Sequence, residues 1–359
     1  MNIVKAFVSL SALQHNFLVL KQRAPHSKIL AVIKANAYGH GMLEIAQALR
    51  DLTDGFAVAR AEEALTLRAA GIESKILALE GFFDEKQAQE FAEQNISCVI
   101  HSEQQLAVLE QISLPQALDC WLKLDTGMHR LGFLPQQFKQ LLSRILACPN
   151  ILPDYKLISH LACADDLEHP LTRRQIHSFS ELSSGLDCER SIAHSAGILL
   201  WPQTHADWNR PGIALYGISP QVDTQGADFN LQAVMTLQSQ LIAVREQPKG
   251  ESVGYGANWY AEQNTQLGVV AMGYGDGYPR CAPNGTPVWV NGRVVPVVGR
   301  VSMDMLCVDL GPEACDQVGD KVVLWGAELP VETVAAAVGS SAYELVTKLS
   351  SRVQLSYVR

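Results

Sequence analysis

Lys34 closes an apolar run, Lys28-Ile-Leu-Ala-Val-Ile-Lys34, and the segment Ala35-Asn-Ala-Tyr38-Gly-His-Gly41 follows it directly. A run rich in isoleucine and valine that ends in turn residues predicts a buried strand entering a βα loop. Folds of the α/β class build their sites at the carboxyl ends of such strands. Burial there disfavours the ammonium form, so the amine can form a Schiff base with an aldehyde cofactor. The alternative is a lysine at a strand end whose ammonium group reaches solvent.

Strand-like runs alternate with helical patterns through the first two thirds of the chain. The runs predict eight strands, at residues 28–34, 55–59, 75–79, 97–101, 118–124, 155–161, 190–194 and 207–215. The intervening patterns predict helices at residues 42–50, 61–70, 84–94, 103–111, 136–147 and 172–184, and another helix comes first at 11–23. Eight strands with regular helical crossovers favour a closed (β/α)8 TIM-like barrel over an open sheet. The last strand is the least regular, because it contains Pro211 and Gly212.

The hydrophobic pattern of the sequence changes from about residue 233. Short β-branched runs separated by glycine and proline predict strands at residues 240–245, 268–272, 287–290, 294–298 and 321–325. Asn291-Gly292 between two of these runs predicts a two-residue hairpin turn. Two helices are predicted near residues 330–338 and 343–349. We therefore expect a barrel domain at 1–228 and a C-terminal, mostly-β domain at 229–359, with a linker at 220–230.

Composition limits the function independently. With 359 residues, 48% of them hydrophobic, the chain can bury one large core and a smaller second one. Its net charge of −9 argues against nucleic acid as a partner and favours a small-molecule enzyme. No apolar stretch approaches the roughly 20 residues of a transmembrane helix, and the start has no cleavage-site pattern, so a cytoplasmic protein without a membrane partner is expected. The eight cysteines lack metal-binding spacing, so no metal is expected and most should be buried.

The motif around Lys34 resembles the cofactor-lysine signature of the alanine racemases, which hold pyridoxal 5′-phosphate (PLP) on that lysine. The resemblance extends over nearly the whole chain. It continues in Leu122-Lys-Leu-Asp-Thr-Gly-Met-His-Arg130-Leu-Gly132, Ser159-His160-Leu-Ala-Cys-Ala-Asp165, Asn209-Arg210-Pro-Gly-Ile-Ala-Leu-Tyr-Gly217, Val253-Gly-Tyr255-Gly-Ala257, Gly273-Tyr274-Gly-Asp-Gly277 and Gly299-Arg-Val-Ser-Met303-Asp304.

This resemblance implies a PLP-dependent isomerase that interconverts L-alanine and D-alanine, for cell-wall peptidoglycan or for alanine catabolism. Racemisation needs a base on each face of Cα, and the resemblance assigns these roles to Lys34 and Tyr255. It also implies a homodimer with shared active sites, in which Tyr255 reaches the barrel of the neighbouring subunit. From the residues alone, a tyrosine between two glycines is more often a turn or core residue.

The resemblance also implies the cofactor contacts. Arg210 would face the pyridine nitrogen, and a guanidinium can only donate a hydrogen bond, so that nitrogen would stay unprotonated. Fold relatives that decarboxylate basic amino acids use a carboxylate there, so Arg210 argues against that activity. Without the resemblance, Arg210 merely starts a Pro-Gly turn. His160 would pack against the face of the pyridine ring; without the resemblance it is a core histidine. The phosphate would be bound by Tyr38, Ser195, and the backbone N–H groups of Gly212 and Ile213.

Substrate contacts follow from the same resemblance. Arg130 would steady the substrate carboxylate and the phenol of Tyr255. Met303 would offer its backbone N–H to the same carboxylate. The lysine matching Lys123 is often carbamylated in the family, and a plain ion pair with a nearby acid is the alternative. Many members have a C-terminal tyrosine at the phosphate, where this chain has Ser351. The matched entrance residues are Asp165, Tyr274 and Arg280, and a narrow entrance would select alanine.

Two other functions remain open at this point. The first is a racemase for serine or another small amino acid, which has the same fold. The second is a non-catalytic PLP-binding or carrier protein, of which a bare barrel is typical. The β domain with Tyr255 and Met303 argues against the carrier, because a carrier needs no second base.

Overall fold

The computed structural model describes residues 3–359, so Met1 and Asn2 lie outside the described residues. The described chain begins with strand β1 (Lys5–Ser9), and the helix Leu10–Arg23 follows at once. Ser9 begins this helix as its N-cap, because its Oγ accepts a hydrogen bond from the N–H of Ala12 at 3.2 Å.

The first sheet consists of eight parallel strands that close into a barrel. They are β2 (Lys28–Val32), β3 (Gly55–Val58), β4 (Lys75–Ala78), β5 (Ser97–Ile100), β6 (Cys120–Lys123), β7 (Lys156–Ile158), β8 (Glu189–Ser191) and β9 (Trp208–Asn209). Each strand pairs with the next along the chain up to β8, and β9 pairs with β2. A parallel bridge between His194 and Arg210 joins the segments that follow β8 and β9. The predicted barrel is therefore confirmed.

Helices follow the barrel strands and cover its outside. They are Met42–Leu49, Ala61–Ala69, Glu85–Glu93, Glu103–Gln111, Pro135–Ala147, Pro170–Ser183 and Ser195–Leu200. Two of them begin at side-chain N-caps: Asp84 accepts the N–H of Gln87 at 2.8 Å, and Ser102 accepts the N–H of Gln105 at 3.3 Å. One face of a helix is buried, as Ala88, Phe91 and Ala92 are in the helix Glu85–Glu93. The carboxyl ends of the strands are left free to build a site.

The prediction of a strand over residues 207–215 is wrong for most of its length. Strand β9 covers only Trp208–Asn209, and the 3₁₀ helix Ile213–Tyr216 follows. Pro211 has no N–H to continue the ladder, although its carbonyl accepts the N–H of Val32 at 2.9 Å. After the bridge at Arg210, Pro211 and Gly212 run without regular structure to this 3₁₀ helix.

The second sheet is mixed and has eight strands. In addition to β1 it contains β10 (Met235–Gln247), β11 (Thr265–Val270), β12 (Pro287–Val290), β13 (Arg293–Val298), β14 (Leu306–Gly311), β15 (Lys321–Trp325) and β16 (Gln354–Val358). The predicted hairpin is confirmed, since Val290 and Arg293 pair across Asn291-Gly292. The helices Val331–Val338 and Ala342–Thr347 precede β16. Sequence analysis did not predict β1, β14 or β16.

Strand β1 belongs to the second sheet and not to the barrel. It pairs antiparallel with β10 and parallel with β16, and its alternating pattern buries Ala6 and Val8. Assigning every residue of 1–228 to the barrel domain is therefore wrong at the N-terminus, because strand partners so distant in sequence leave no local signal. The boundary after residue 228 remains a prediction.

The segment predicted as a linker is fixed to the β domain. Glu332 accepts the backbone N–H groups of Ser219 at 2.9 Å and Gly226 at 3.0 Å. The 3₁₀ helix Gly226–Phe229 follows. A carboxylate with two N–H donors holds the crossing between the two sheets in one geometry.

Two further observations concern the cysteines and the possibility of a membrane-spanning helix. All eight cysteines are unpaired, but only Cys98, Cys120 and Cys148 are buried, so the prediction that most of them are buried is wrong. Across residues 3–359, no helix has the length and apolar character needed to cross a membrane.

Candidate active site

Lys34 lies two residues beyond the end of β2 and lines a cavity of about 560 Å³ at the mouth of the barrel. The strand itself ends at Val32 rather than at Lys34. Burial is the main cause that lowers the pKa of the Lys34 amine, and the positive charge of Arg130 adds to it. The predicted desolvated lysine is confirmed, and the neutral amine is accessible nearer to neutral pH than for an exposed lysine.

A left-handed turn follows Lys34 where sequence analysis predicted only a loop. Ala35, Asn36, Ala37 and Tyr38 have φ angles of 52°, 54°, 54° and 53°. Each such residue costs about 1–2 kcal/mol relative to the right-handed form, so the surroundings must hold the turn. Asn36 Oδ1 accepts the N–H of Met42 at 2.9 Å, and Glu63 Oε1 accepts the N–H of Ala35 at 2.7 Å. Glu63 is a positioning residue that sequence analysis missed.

Gly39 ends this turn against the helix Ala342–Thr347 of the β domain. Its φ is +81°, and a Cβ there would lie 2.1 Å from the carbonyl oxygen of Val346. Gly71 also has a φ of +81° but has nothing within 4 Å of its Cβ position. We predict that Gly71→Ala lowers the free energy of unfolding by about 1–2 kcal/mol, from the backbone alone. Gly39→Ala should cost a further ~1–3 kcal/mol, since the methyl group also clashes.

Urea unfolding followed by circular dichroism measures both variants. Equal losses for Gly39→Ala and Gly71→Ala would show that the contact with Val346 is not needed to hold the turn.

Hydroxyl groups gather at one end of the cavity. Ser195 Oγ accepts the N–H groups of Gly212 at 2.9 Å and Ala214 at 3.2 Å, which leaves its own hydrogen free to be donated. A Cβ on Gly212 would lie 2.5 Å from the Tyr38 hydroxyl oxygen, so only glycine allows this approach. Burial raises the pKa of Tyr38 to about 12, so this phenol is neutral and can donate. Two hydroxyl donors and a glycine turn make a cradle for an anion.

Arg210 is buried and held in one orientation at the floor of the cavity. Its Nη1 donates to Ser191 Oγ, and its Nη2 donates to the carbonyl oxygen of Ser159 at 2.6 Å. Burial lowers the pKa of Arg210 to about 9, so the guanidinium is still charged at neutral pH. The cavity therefore contains a fixed cationic donor in addition to the hydroxyl groups.

Two neutral histidines form one wall of the cavity. The ring centroids of His160 and His194 are 4.7 Å apart. His194 Nδ1 accepts the N–H of Ala196 at 3.1 Å, so its Nε2 carries the hydrogen and donates to the carbonyl oxygen of Leu161 at 3.3 Å. Burial lowers the pKa of His194 to about 4 and holds the pKa of His160 well below its usual range. His194 was not predicted as a site residue from the sequence. Its N-cap position directly before Ser195 could have identified it.

Lys123 and Arg130 add positive charge to the lining of the cavity. Burial and then the charges of Arg210, Arg130 and Lys34 lower the pKa of Lys123 to about 8. Asp125 attracts Lys123, but its carboxylate already accepts the N–H groups of Gly127 and His129, both at 3.0 Å. These bonds shape the loop that carries Arg130.

The remaining predicted residues lie on the β domain, outside this cavity. Tyr255 is 70% exposed and Met303 is 53% exposed. Tyr274 lies beside Met303, because the N–H of Gly275 donates to the Met303 carbonyl oxygen at 2.8 Å, and the Arg280 guanidinium lies 6.0 Å from the Tyr274 ring centroid. The structure therefore divides the predicted residues into a group that lines the barrel cavity and an exposed group on the β domain.

Asp165 lines the cavity as predicted, together with Lys34, Tyr38, Lys123, Arg130, His160, Ser195, Arg210, Gly212 and Ile213. Ser351 is exposed and is not among the residues that line it. Tyr343, which sequence analysis overlooked, does line it. A tyrosine two residues into a short C-terminal helix carried no distinguishing pattern.

Comparison with protein families covers both domains. Residues 8–220 match the family described as "Alanine racemase, N-terminal domain", and residues 234–357 match "Alanine racemase, C-terminal domain". The chain is 54% identical over 359 residues to "Alanine racemase, biosynthetic" of Escherichia coli K12, and the match covers 100% of both proteins.

Solved structures agree in fold. The biosynthetic alanine racemase from Pseudomonas aeruginosa superimposes with a TM-score of 0.97 at 47% identity, covering 100% of each chain. The alanine racemase from Bartonella henselae, solved with covalently bound pyridoxal phosphate, has a TM-score of 0.90 at 31% identity, with 99% of each chain covered.

Proposed function

Because this chain belongs to the alanine racemase family, whose members are PLP-dependent isomerases, we propose that it interconverts L-alanine and D-alanine with PLP bound to Lys34. The observation that carries the proposal is Lys34 itself, a lysine with a lowered pKa in a cavity that also contains Arg210. The expected products would supply D-alanine for peptidoglycan or serve alanine catabolism.

The cavity fits this cofactor. Tyr38 and Ser195 offer neutral hydroxyl donors at one end, where Gly212 leaves room for a phosphate, and Ile213 lies beside them. Arg210 would donate to the pyridine nitrogen, and the neutral His160 would pack on the ring face. When bound, PLP supplies an electron sink that acidifies the substrate Cα–H. We note one difference from the sequence expectation: the Gly212 N–H is bonded to Ser195 Oγ, so it acts by holding that hydroxyl.

Two bases are needed on opposite faces of Cα, and we propose Lys34 and Tyr255 for them. Lys34 is in the cavity, whereas Tyr255 is 70% exposed on its own chain. The two meet if Tyr255 of the partner subunit enters the barrel mouth, which supports a homodimer with shared sites. Met303 of the partner subunit would then offer its N–H to the substrate carboxylate, beside Arg130.

The entrance would be built from both chains in the same way. Asp165 lies at the barrel mouth, and the exposed pair of Tyr274 and Arg280 belongs to the β domain. A tyrosine wall at this narrow point would exclude long side chains and favour alanine. We also propose a cytoplasmic location, which suits eight unpaired cysteines.

Mixing two inactive variants tests the shared site. Lys34→Ala and Tyr255→Phe homodimers should each be inactive, but subunit exchange should restore part of the activity. In a mixed dimer one site regains both bases while the other lacks both, so an equimolar mixture should recover about one quarter of the wild-type rate when exchange is random. Subunit exchange confirmed by native mass spectrometry, with no activity restored, would mean that both bases come from one chain.

We further propose that Lys123 is carbamylated. Its pKa of about 8 means that the neutral amine, the form that reacts with carbon dioxide, grows as the pH rises through 8. The resulting anion would pair with Arg130 and replace a cation in a strongly cationic wall. Protein equilibrated with ¹³C-bicarbonate should show a carbamate signal by NMR that increases between pH 7 and 9. The signal should be missing from Lys123→Ala, and its persistence there would assign it to another amine.

A further inference from the structure

His40 is a fully buried histidine that directly follows the left-handed turn at residues 35–38 and Gly39. Its Nδ1 lies 2.9 Å from the carbonyl oxygen of Tyr38 and 3.1 Å from that of Ala37. Carbonyl oxygens can only accept hydrogen bonds, so Nδ1 carries the ring hydrogen and donates it to both. Burial lowers the pKa of His40 to about 4, so the ring is neutral at neutral pH and Nδ1 keeps this hydrogen.

These two bonds hold the end of the turn. Ala37 and Tyr38 have φ angles of 54° and 53°, a backbone form that is unfavourable for residues with a Cβ. Glu63 fixes the start of the turn by accepting the N–H of Ala35, and His40 fixes its end by donating to the carbonyl groups of the last two residues. Side-chain bonds at both ends therefore stabilise a conformation that the backbone alone disfavours.

The remainder of the His40 ring makes contacts that need no polar atom. Its centroid lies 4.5 Å from that of Tyr216, against which it stacks. The ring also lines a cavity of about 420 Å³ between the barrel and the β domain, together with Trp325. Within residues 3–359, Nε2 of His40 has no hydrogen-bond partner. A buried nitrogen without a partner costs free energy that an apolar ring would avoid, so the bonds of Nδ1 are the contribution that an apolar ring could not make.

The turn connects the two residues that PLP would contact first. Lys34 directly precedes the turn, Tyr38 ends it, and both line the active-site cavity. His40 does not line this cavity. Any displacement of the Tyr38 carbonyl group would move the Tyr38 phenol relative to the Lys34 amine. His40 can therefore affect the cofactor site only through the backbone that it holds.

We propose that His40 is a positioning residue, whose Nδ1–H holds the left-handed turn so that Lys34 and Tyr38 reach PLP together. The inference rests on the proposed function, since it takes PLP as the occupant of the cavity. One ligand must meet Lys34 with its aldehyde and Tyr38 with its phosphate at the same time. A turn that is ordered before binding lowers the entropy cost of that double contact.

Two substitutions separate the N–H group of His40 from its ring. His40→Phe keeps an aromatic ring against Tyr216 and removes the donor, and the adjacent cavity leaves room for the larger ring. His40→Asn removes the ring but keeps an N–H donor at the δ position of the side chain. We expect His40→Phe to weaken PLP binding to the apoenzyme about 10-fold, and His40→Asn to weaken it less than about 3-fold.

Titration of each apoenzyme with PLP, followed by absorbance, measures these affinities. Borohydride reduction and peptide mass analysis then measure how much cofactor is attached to Lys34. The matched control is His205→Phe, because His205 Nε2 also lies 3.0 Å from a backbone carbonyl oxygen, that of Ile198, but the residue lines a different cavity. This variant should bind PLP as the wild type does.

Three results would overturn the inference. Wild-type affinity in a folded His40→Phe would show that the N–H group is not needed. A loss for His40→Asn as large as that for His40→Phe would mean that ring packing matters instead, and an equal loss for His205→Phe would mean that PLP affinity follows overall stability. If His40→Phe does not fold, His40→Leu, a smaller apolar side chain without a donor, takes its place with the same expectation. Failure of the wild-type apoenzyme to bind PLP on Lys34 is a different result, since it would overturn the proposed function itself.

Discussion

Replacing Lys34 with alanine should abolish racemisation in both directions, by about 10⁴-fold or more, and should remove the covalent cofactor. One side chain is proposed to serve as both the anchor of PLP and a base on one face of Cα, so its loss affects two steps at once. Chiral chromatography of reactions started from each enantiomer measures the rates. Borohydride reduction followed by peptide mass analysis should find the label on Lys34 in the wild type and none in the variant.

Lys28→Ala is the matched control for this substitution. Lys28 lies at the other end of the same strand, where its ammonium pairs with Glu189 at 2.7 Å and is half exposed. Exposed pairs of this kind contribute little to stability, so activity and cofactor content should be close to wild type. Appreciable turnover by Lys34→Ala with added PLP, and without an added amine, would remove Lys34 from the mechanism.

Tyr255→Phe should reduce turnover of L-alanine by about 10²–10⁴-fold while PLP stays bound to Lys34. The substitution removes the hydroxyl that gives and takes a proton on one face, and it leaves the barrel cavity untouched. A phenol acts as a base near neutral pH only beside cations, and Arg130 of the opposite barrel supplies one in the proposed dimer.

Isotope exchange separates the two faces. In deuterium oxide, the Tyr255→Phe variant should exchange the Cα proton of D-alanine better than that of L-alanine, if Lys34 serves the D face. Tyr260→Phe, a change of another exposed tyrosine in the same region, should behave as wild type. Near-wild-type exchange of both enantiomers by Tyr255→Phe would contradict a two-base mechanism.

Much of the barrel and its cavity could be predicted because their signals are local. Apolar runs followed by helical periodicity predicted the positions of seven barrel strands to within a few residues. Lys34 could be identified because it is a charged residue directly after such a run. The prediction of a strand at 207–215 is wrong because Pro211 interrupts the hydrogen-bond ladder. The left-handed turn at 35–38 could not be predicted, because only tertiary contacts such as those of Glu63 stabilise it over the right-handed form.

The missed elements share a different cause. Strands β1 and β16 are short, and β1 is stabilised by partners at the far end of the sequence. Tyr343 and His194 have ordinary local contexts, and only the packing of distant elements brings them to the cavity. The proposal that Tyr255 and Met303 act in the site of the partner subunit came from the family resemblance. The exposure of a side chain on one subunit does not show which surface of another subunit contacts it.

The position of β1 has a consequence for how the protein is made. Its two neighbours in the sheet, β10 and β16, leave the ribosome much later, after all of the barrel strands. Strand β1 therefore lacks both of its sheet partners while the barrel strands are synthesised. The helix that abuts Gly39 is also translated late. Although domains commonly fold in order of synthesis, the packing around the Lys34 turn and the sheet around β1 can be completed only after the helix Ala342–Thr347 and β16 have been translated.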